Sequence, residues 1–466
     1  MRDTDATGAD GDAHSPVIVA PTPFGLSDYR TCLLDTNVVA THLATLGVQH
    51  IRLAGPDAVY WDAVDTDKDG VADAIGLARV DGAVRDTASH GKPITMIIAL
   101  NALPGGLFPG EGTATRAAYV QFVQSMVERY DGDGTGDLAG SPKIAVWQIG
   151  NEPNAGGGPS VFLPTEFAKQ VLVTADAVLA ADPTAKLALG GTFGADQGTG
   201  QGGLTWQQYY TNALAALAAS APDRRFFDYV DVHVYGDASG DYELVEGGVS
   251  SFRSLLAPYP QYADVRVIFT EVGTSSGGGS GPTCPPYQSE VQEAADLVKR
   301  YTVAIASGAA ELYWFRLCEH SGGFNPYFDL VGLIFDGTDV CGGEHDRGAN
   351  ARKLTYFSFA SLSAMLAGAS TARRVLPTTS ALHLRAYRFT RAAAADVVIV
   401  WWDTFADGAA FTEQRSLALS DLGLIEAEVT SVTSLVTSTS GAPRTVTPSA
   451  GAIMMDGEPL AVILGG

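Results

Sequence analysis

Trp147-Gln-Ile-Gly-Asn151-Glu152-Pro153-Asn154 is the stretch of sequence that decides the predicted fold. It begins inside residues 144–150, a short apolar run of the kind that forms a buried parallel strand. A carboxylate that directly follows such a strand is typical of a (β/α)8 barrel, whose active sites are built at the carboxyl ends of the strands. Taken alone, Asn-Glu-Pro is also a common turn, so the interpretation depends on the rest of the chain.

Similar apolar runs recur along the first three-quarters of the chain and alternate with helical patterns. The eight predicted strands are residues 17–20, 48–53, 94–100, 144–150, 187–190, 229–235, 265–270 and 311–316. Helical spacing of apolar residues lies between 119 and 130, and residues 165–181, 206–219, 289–306 and 351–367 also predict helices. This alternation predicts an α/β fold, a (β/α)8 TIM barrel over residues 16–370. A doubly wound open sheet is the alternative, because periodicity does not show whether a sheet closes.

The two ends of the chain differ from this pattern. From about residue 371, short β-branched runs at 382–389, 396–402, 415–419, 428–436, 444–448 and 459–464 predict a small antiparallel β-sandwich over residues 371–466. Residues 1–15 are polar and acidic, which predicts a disordered or tag-like segment, and they lack the features of a signal peptide. We expect a secreted or periplasmic monomer whose signal peptide is absent from this chain; a cytoplasmic location is the alternative.

Composition restricts the partners. Hydrophobic residues make up 46% of the chain and charged residues 17%, as in folded domains, and no apolar run is long enough to span a bilayer. The net charge of −23 argues against nucleic acid and anionic membranes as partners, whereas it is compatible with a neutral glycan. The four cysteines, at positions 32, 284, 318 and 341, are consistent with one disulfide, for which we consider Cys318–Cys341 and Cys284–Cys318.

A second carboxylate follows the seventh predicted strand, in Val267-Ile-Phe-Thr-Glu271-Val-Gly. Strand alternation places Val267, Phe269 and Glu271 on one side of this strand and Gln148 and Glu152 on one side of the fourth. If both sides face the barrel axis, the two glutamates converge. Glycosidic cleavage needs such a pair, one carboxylic acid to protonate the leaving oxygen and one carboxylate opposite it.

The pattern resembles the large clan A of retaining (β/α)8 glycosidases, in which an Asn-Glu pair ends strand four and a glutamate ends strand seven. The segment Tyr130-Asp-Gly-Asp-Gly and the terminal sandwich are similar to family 39, which includes xylosidases and exopolysaccharide glycosidases. One departure is that Val-Gly-Thr-Ser-Ser follows Glu271 in place of the Trp-Asn typical of the xylosidases, so their substrate is not carried over.

The resemblance implies a role for each residue of the site. Glu152 is then the acid/base and Glu271 the nucleophile, and no cofactor takes part in catalysis. The implied substrate-binding residues are Arg52 beside the nucleophile, Asn151 at the sugar 2-hydroxyl, His233 and Tyr235 at the end of strand six, and Trp314 as the floor under the sugar.

The predicted function is therefore that of a retaining glycoside hydrolase that cleaves an oligo- or polysaccharide by double displacement. Two alternatives remain, a non-catalytic glycan-binding barrel and a transglycosylase that uses the same two glutamates. A serine hydrolase and a zinc enzyme are not supported, because no complete nucleophile elbow and no His-Glu-x-x-His or paired Cys-x-x-Cys motif is present.

The segment Asp65-Thr-Asp67-Lys-Asp69-Gly70-Val-Ala-Asp73 is similar to the first half of an EF-hand loop, with oxygen ligands at alternate positions. It lacks the bidentate glutamate, since Gly76 stands at position twelve. Structural calcium bound by these four aspartates is one interpretation, and an acidic surface turn is the other. For Asp131, Asp133 and Asp137 we favour the turn.

Overall fold

The computed structural model describes residues 16–32, 34–100, 106–155, 162–194, 198–279, 281, 284–320, 325–338, 341, 347–375 and 382–465. The predicted tag-like segment 1–15 lies outside the described residues. Ten α-helices are present in these ranges: α1 (Thr36–Leu46), α2 (Trp61–Val64), α3 (Ala74–Ser89), α4 (Ala114–Arg129), α5 (Pro164–Ala181), α6 (Trp206–Ser220), α7 (Leu244–Leu256), α8 (Glu290–Ser307), α9 (Pro326–Asp329) and α10 (Leu354–Leu366).

The described part of the first two-thirds of the chain contains ten strands, and eight of them form a closed barrel. The ten are β1 (Val17–Ile18), β2 (Phe24–Ser27), β3 (His50–Leu53), β4 (Val59–Tyr60), β5 (Ile94–Ala99), β6 (Val146–Ile149), β7 (Lys186–Leu189), β8 (Tyr229–Asp231), β9 (Arg266–Val272) and β10 (Glu311–Phe315). Strands β2, β3 and β5 to β10 are parallel, and β3 pairs with both β2 and β5, which closes the ring. The barrel is therefore confirmed over the open sheet; β4 is a short addition at the edge of β5.

Local sequence explains where the long helices begin. Capping boxes start two of them, with Thr205 and Gln208 at α6 and Ser289 and Gln292 at α8. In each, the hydroxyl and the amide satisfy backbone groups that the first turn leaves unpaired. Among the helices of the described part of the chain, none combines the length and the apolar composition that a bilayer span requires.

The first predicted barrel strand was wrong. Val17 and Ile18 pair antiparallel with Ala372 and Thr371, so β1 belongs to the C-terminal sheet. The first barrel strand is β2, which is buried along its length but contains Gly25 and Ser27. With two apolar side chains among its four residues, its sequence does not stand out as an apolar run.

The C-terminal strands form a separate antiparallel domain, as predicted. They are β11 (Ala369–Arg374), β12 (Leu384–Arg391), β13 (Val397–Trp402), β14 (Arg415–Ala418), β15 (Val429–Ser434), β16 (Ala452–Met455) and β17 (Leu460–Leu464). One sheet has the order β1-β11-β12-β13-β17-β15, and β14 pairs with β16 in a two-stranded ribbon. The predicted strand at 444–448 was wrong, since only an isolated bridge between Thr433 and Thr445 forms there, and β16 was missed.

Strand β13 shows how the two domains pack. All six of its residues are buried, because both faces of the sheet are covered. Val397, Ile399 and Trp401 join the core that includes the barrel helices. Val398, Val400 and Trp402 join a second core against the β14–β16 ribbon. The period-2 alternation of a strand thus divides one apolar run between two cores.

Two disulfides are present, Cys32–Cys318 and Cys284–Cys341, so both predicted pairings were wrong. Cys32 follows β2 and Cys318 follows β10, and these strands are hydrogen-bonded neighbours in the closed barrel. The separation of 286 residues between the two cysteines conceals this proximity in the sequence. Barrel closure therefore determines the pairing.

Candidate active site

The inner face of the barrel carries a layer of buried polar side chains. Arg52 donates from Nε to Oε1 of Gln148 at 2.8 Å, and Gln148 donates from Nε2 to Oδ2 of Asp231 at 2.6 Å. Thr270 donates its backbone N–H to Oδ1 of Asp231 at 2.9 Å. Since buried polar groups are stable only when they are paired, this network fixes the side chains beneath the site.

The predicted alternation along β9 was wrong. Val267 and Phe269 belong to the core shared with the helices, and Phe269 packs against Gly248 of α7, whereas Thr270 faces the barrel axis. Glu271 nevertheless points inward as well, because the register with β10 shifts between the pairs Leu312–Phe269 and Trp314–Val272. The extra residue in β9 is a bulge, which places two successive side chains on the same side.

Glu152 is positioned by a kink after β6. The strand ends at Ile149, and Gly150 and Glu152 both have left-handed backbones, with φ of 84° and 43°. The Glu152 backbone N–H donates to the carbonyl of Gly191 at 2.8 Å. A left-handed non-glycine residue is costly and is maintained where the surrounding structure requires it, which is common in active sites.

Glu271 is held from both sides of its carboxylate. Arg52 donates from Nη1 to Oε1 at 2.7 Å, and Tyr235 donates its hydroxyl to Oε2 at 2.7 Å. Burial alone would raise the pKa of Glu271, but the positive charges of His233 and Arg52 and the hydrogen bond from Tyr235 outweigh it, so this pKa lies below its ordinary value. The side chain is therefore an ionised carboxylate at neutral pH.

His233 connects the two glutamates. Its Nδ1 lies 2.9 Å from Oε1 of Glu152 and 3.5 Å from Oε2 of Glu271, and its Nε2 lies 3.2 Å from Oγ1 of Thr270. Burial would lower the pKa of His233, but the charge of Glu271 and the contacts with Asp231 and Glu152 raise it to about 10. The imidazole is therefore a cation beside Glu271 and within hydrogen-bond distance of Glu152.

The two glutamates converge as predicted. One oxygen of Glu152, one oxygen of Glu271 and a nitrogen of His233 all lie within 4.8 Å of one another. The pair stands at the wall of an open cleft of about 640 Å³. Residues lining the cleft are Asp28, Arg30, Ala54, Gly55, Pro56, Asp57, Tyr60, Asn151, Glu152, Glu271, Phe315, Arg316, His320 and Phe328.

The structure separates the predicted substrate-binding residues into two groups. Arg52, His233 and Tyr235 contact the glutamates from below, and Asn151 lines the cleft while it accepts a hydrogen bond of 2.6 Å from Nη2 of Arg52. Trp314 does not line the cleft: it is fully buried, and its Nε1 donates to the Val331 carbonyl at 2.9 Å. The prediction of Trp314 as the floor is corrected, since Phe315, the next residue along, lines the cleft instead.

Several residues of the site were missed. Gln148 and Asp231 stand on the inner face of β6 and β8, and Asp231 lies two residues before the predicted His233, a spacing that could have revealed it. Asp28, Arg316 and His320 lie in loops after β2 and β10, and the sequence carries no local signal for them.

The predicted metal-binding segment forms a compact acidic turn. Carboxylate oxygens of Asp65, Asp67 and Asp69 lie within 4.8 Å of one another. Asp65 is buried and accepts hydrogen bonds from Nε1 of Trp61 at 2.6 Å and from the Gly70 N–H at 2.9 Å. Asp73 is not part of this group.

Asp73 instead accepts hydrogen bonds from the backbone N–H and the hydroxyl of Thr66, at 2.7 and 2.6 Å. Asp131, Asp133 and Asp137 form a second acidic turn of the same kind. Backbone N–H groups that donate to its carboxylates hold this turn together, from Asp133 to Oδ1 of Asp131 at 3.1 Å and from Gly134 to Oδ2 of Asp137 at 2.7 Å.

A closed (β/α)8 barrel that presents glutamates after its fourth and seventh strands defines a clan A glycoside hydrolase. The family model described as "Cellulase (glycosyl hydrolase family 5)" matches residues 17–314, and the chain belongs to this family. The protein is a glycosidase, and glycans are its substrates. The clan predicted from the sequence is thereby confirmed, and family 39 is represented among the similar structures. The comparison with curated proteins found no significant match.

Solved structures share the fold over nearly the whole chain. One is a family 39 glycoside hydrolase from the gut symbiont Bacteroides cellulosilyticus WH2, with TM-score 0.64 and 14% identity over 96% of this chain and 81% of that one. Another is a family 51 α-L-arabinofuranosidase from Bifidobacterium longum, with TM-score 0.64 and 14% identity over 98% of both chains. A monomeric β-xylosidase from Caulobacter crescentus CB15 has TM-score 0.58 and 14% identity over 97% of both chains. At this identity the likeness shows the fold alone.

Proposed function

We propose that the protein is a retaining glycosidase that hydrolyses an oligo- or polysaccharide by double displacement, with Glu271 as nucleophile and Glu152 as acid/base. The observation that carries the proposal is the distance between the carboxylates, whose oxygens approach within 4.8 Å. Retaining enzymes hold the two carboxyl groups about 5–5.5 Å apart, whereas inverting enzymes leave about 6.5–9.5 Å for a water molecule. The short distance favours direct attack by a carboxylate.

In the first step, Glu271 attacks the anomeric carbon and forms a covalent ester, while Glu152 transfers its proton to the leaving oxygen. In the second step, ionised Glu152 takes a proton from water, whose oxygen attacks the anomeric carbon and displaces Glu271. Arg52 and Tyr235 hold the attacking carboxylate in place, which limits the reorganisation needed for attack. Cationic His233 stays next to both carboxylates and stabilises the negative charge that moves between them.

We also propose a location outside the cytoplasm and a structural role for calcium. The two disulfides support the location, because such bonds persist in oxidising compartments. The three close carboxylates of Asp65, Asp67 and Asp69 support calcium, which prefers oxygen ligands.

The test is the stereochemistry of the product. Hydrolysis of a glycoside followed by proton NMR should first give the sugar with the anomeric configuration of the substrate, and an inverted first product would overturn the proposal. Glu271→Gln should lower hydrolysis by several orders of magnitude. The matched control is Glu311→Gln, which removes another buried carboxylate of the barrel, at the opposite end of its strands, and should retain activity.

Chemical rescue identifies the nucleophile. In Glu271→Ala, azide should enter the vacated space and restore turnover of an activated aryl glycoside, giving a glycosyl azide of inverted configuration. Wild-type activity in this variant would show that the nucleophile is misassigned. Transfer of the sugar to added sugar acceptors rather than to water, with retained anomeric configuration, would identify a transglycosylase.

A further inference from the structure

Three cleft residues share an unusual backbone conformation. Among the described residues, seven non-glycine residues have positive φ, and Asp28, Glu152 and Arg316, with φ of 50°, 43° and 82°, line this one cleft. Such conformations are strained for non-glycine residues and collect at functional sites. One of the three is the proposed acid/base. The other two form a neighbouring pair that the mechanism above does not use.

The pair lies across the barrel from Glu152. Asp28 follows β2 and Arg316 follows β10, which are adjacent strands, and β10 is four strands away from β6 in either direction around the ring. The backbone N–H of Arg316 donates to the Ser27 carbonyl at 3.1 Å, and that of Asp28 donates to the Arg52 carbonyl at 3.3 Å. Both residues are therefore fixed to the strands that carry the site.

The Arg316 side chain lies close to two carboxylates. Nε of Arg316 lies 3.3 Å from Oδ2 of Asp28, and Nη1 lies 3.8 Å from Oδ1 of Asp329. The Arg316 side chain is only 9% exposed, and in the described structure neither Nε nor Nη1 donates a well-formed hydrogen bond. Its Cζ lies 4.7 Å from the centre of the Phe315 ring. Both Asp28 and Arg316 line the cleft, and a guanidinium whose donors are only weakly engaged is suited to polar groups of a ligand there.

The charges around Asp28 and Arg316 indicate which ligand fits this side of the cleft. Arg316 faces two carboxylates, Asp28 and Asp329. The other arginine of the cleft, Arg30, lies 2.9 Å from Asp57 and 3.6 Å from Asp86. No positive charge is in excess here, so an anionic sugar would meet repulsion, whereas hydroxyl groups can donate to a carboxylate and accept from a guanidinium.

We propose that Asp28 and Arg316 bind adjacent hydroxyl groups of a neutral sugar and determine the substrate specificity of the enzyme. The inference rests on the proposed function, because Glu152 must contact the leaving oxygen. The leaving group is then on the Glu152 side of the cleft, and the sugar transferred to Glu271 extends toward the opposite wall. That wall is where Asp28 and Arg316 stand.

The first experiment compares 4-nitrophenyl glycosides of xylose, glucose, galactose and arabinofuranose with the corresponding glucuronide. The wild type should hydrolyse at least one neutral glycoside and prefer it to the glucuronide. Asp28→Asn and Arg316→Lys should each lower kcat/KM on that glycoside about 10- to 100-fold, the cost of a lost charged hydrogen bond. Asp81→Asn is the matched control, since it removes the carboxylate partner of Arg129 outside the cleft. Preference for the glucuronide, or unchanged kcat/KM in both variants, would overturn the proposal.

A second measurement separates contact from folding. A glycoside that lacks a hydroxyl bound by Asp28 or Arg316 should be a poor substrate of the wild type. Asp28→Asn and Arg316→Lys should not lower kcat/KM on this analogue any further. Equal losses on every analogue would indicate a merely structural role and overturn the proposal. Calorimetric binding of the neutral and anionic methyl glycosides to each protein distinguishes the two hypotheses. If the neutral sugar binds, binds more weakly to the variants and is not hydrolysed, only the proposed function is contradicted. If the wild type does not bind the neutral sugar, the role of Asp28 and Arg316 is contradicted.

Discussion

The hydroxyl of Tyr235 lies 2.7 Å from Oε2 of Glu271, and the same type of pair recurs elsewhere in the barrel. Tyr313 donates its hydroxyl to Oε2 of Glu311 at 2.6 Å. The first pair is at the cleft, where Arg52 and His233 also contact the carboxylate, and the second is at the beginning of β10. One tyrosine–glutamate pair therefore lies at the cleft, and the other lies away from it, where its substitution serves as a control for changes to the first.

Tyr235→Phe should move the acidic limb of the pH profile. The hydrogen bond from Tyr235 helps to hold the pKa of Glu271 below its ordinary value, so its loss raises this pKa. The wild type should therefore stay active at lower pH than the variant. We expect the limb of kcat/KM to shift to higher pH and kcat/KM at neutral pH to fall about 10- to 100-fold. Tyr313→Phe should leave the limb in place. A profile of Tyr235→Phe that coincides with the wild type would show that this bond does not control the nucleophile.

Glu152→Ala should affect substrates according to their leaving groups. An activated aryl glycoside needs no proton in the first step, so formation of the glycosyl-enzyme should stay near the wild-type rate for such substrates. Alkyl glycosides and natural glycans should lose about 10²–10⁴-fold, the usual contribution of general acid catalysis. Pre-steady-state release of nitrophenol, compared with steady-state turnover, checks this prediction. A uniform loss across leaving groups would contradict the assignment of Glu152 as acid.

The sequence located the two glutamates of the site better than it predicted the path of the chain that brings them together. Glu152 and Glu271 could be identified because each follows an apolar strand, but the reasoning that made them converge was incomplete. A bulge in β9 turns Glu271 inward, and a left-handed kink after Ile149 positions Glu152. Neither feature has a period that can be recognised in a sequence.

Contacts between segments that are remote in the chain were likewise out of reach. For this reason residues 17–20 were assigned to the barrel rather than to the sheet that contains β11, and the Cys32–Cys318 disulfide was not among the pairings considered. Trp314 was identified as an aromatic residue of β10, but its burial depends on the loop that carries Val331, which no local pattern describes.

A buried cluster beneath the loop after β10 makes stability depend on pH. Nζ of Lys353 lies 2.8 Å from Oε2 of Glu293 and 3.0 Å from Oε1 of Glu319. Burial, partly offset by Lys353, raises the pKa of Glu293 to about 7 and that of Glu319 to about 8. Each carboxyl binds its proton more tightly in the folded state, so its stabilising contribution is complete below its ordinary pKa and is lost as the pH rises through 7 and 8.

Glu319→Gln should remove one of these titrations. Because glutamine resembles the protonated acid, the variant should gain in free energy of unfolding relative to the wild type between about pH 5 and pH 9. Urea unfolding of both proteins at these pH values measures the difference. Equal pH dependence in the two proteins would show that Glu319 does not carry the titration.

The proposed calcium site predicts a response to metal. If Asp65, Asp67 and Asp69 bind calcium, chelator should lower the Tm of the wild type and added calcium should restore it, since a ligand that binds only the folded state stabilises it. Asp67→Asn combined with Asp69→Asn should abolish this response, because these two side chains are the exposed members of the group. The same substitutions at Asp133 and Asp137 serve as the comparison. A Tm unaffected by chelator would leave an acidic turn.

Strand β1 has a consequence for biosynthesis. A ribosome releases Val17 and Ile18 early, but their partners Thr371 and Ala372 emerge only after the whole barrel has been translated. The nascent chain therefore carries an unpaired edge while its barrel assembles, and the last sheet docks onto it afterwards. A protein shortened before β11 would retain Glu152 and Glu271 yet leave that edge without its partner. Unpaired edges are templates for aggregation, so pairing with β11 removes this hazard once the final domain has folded.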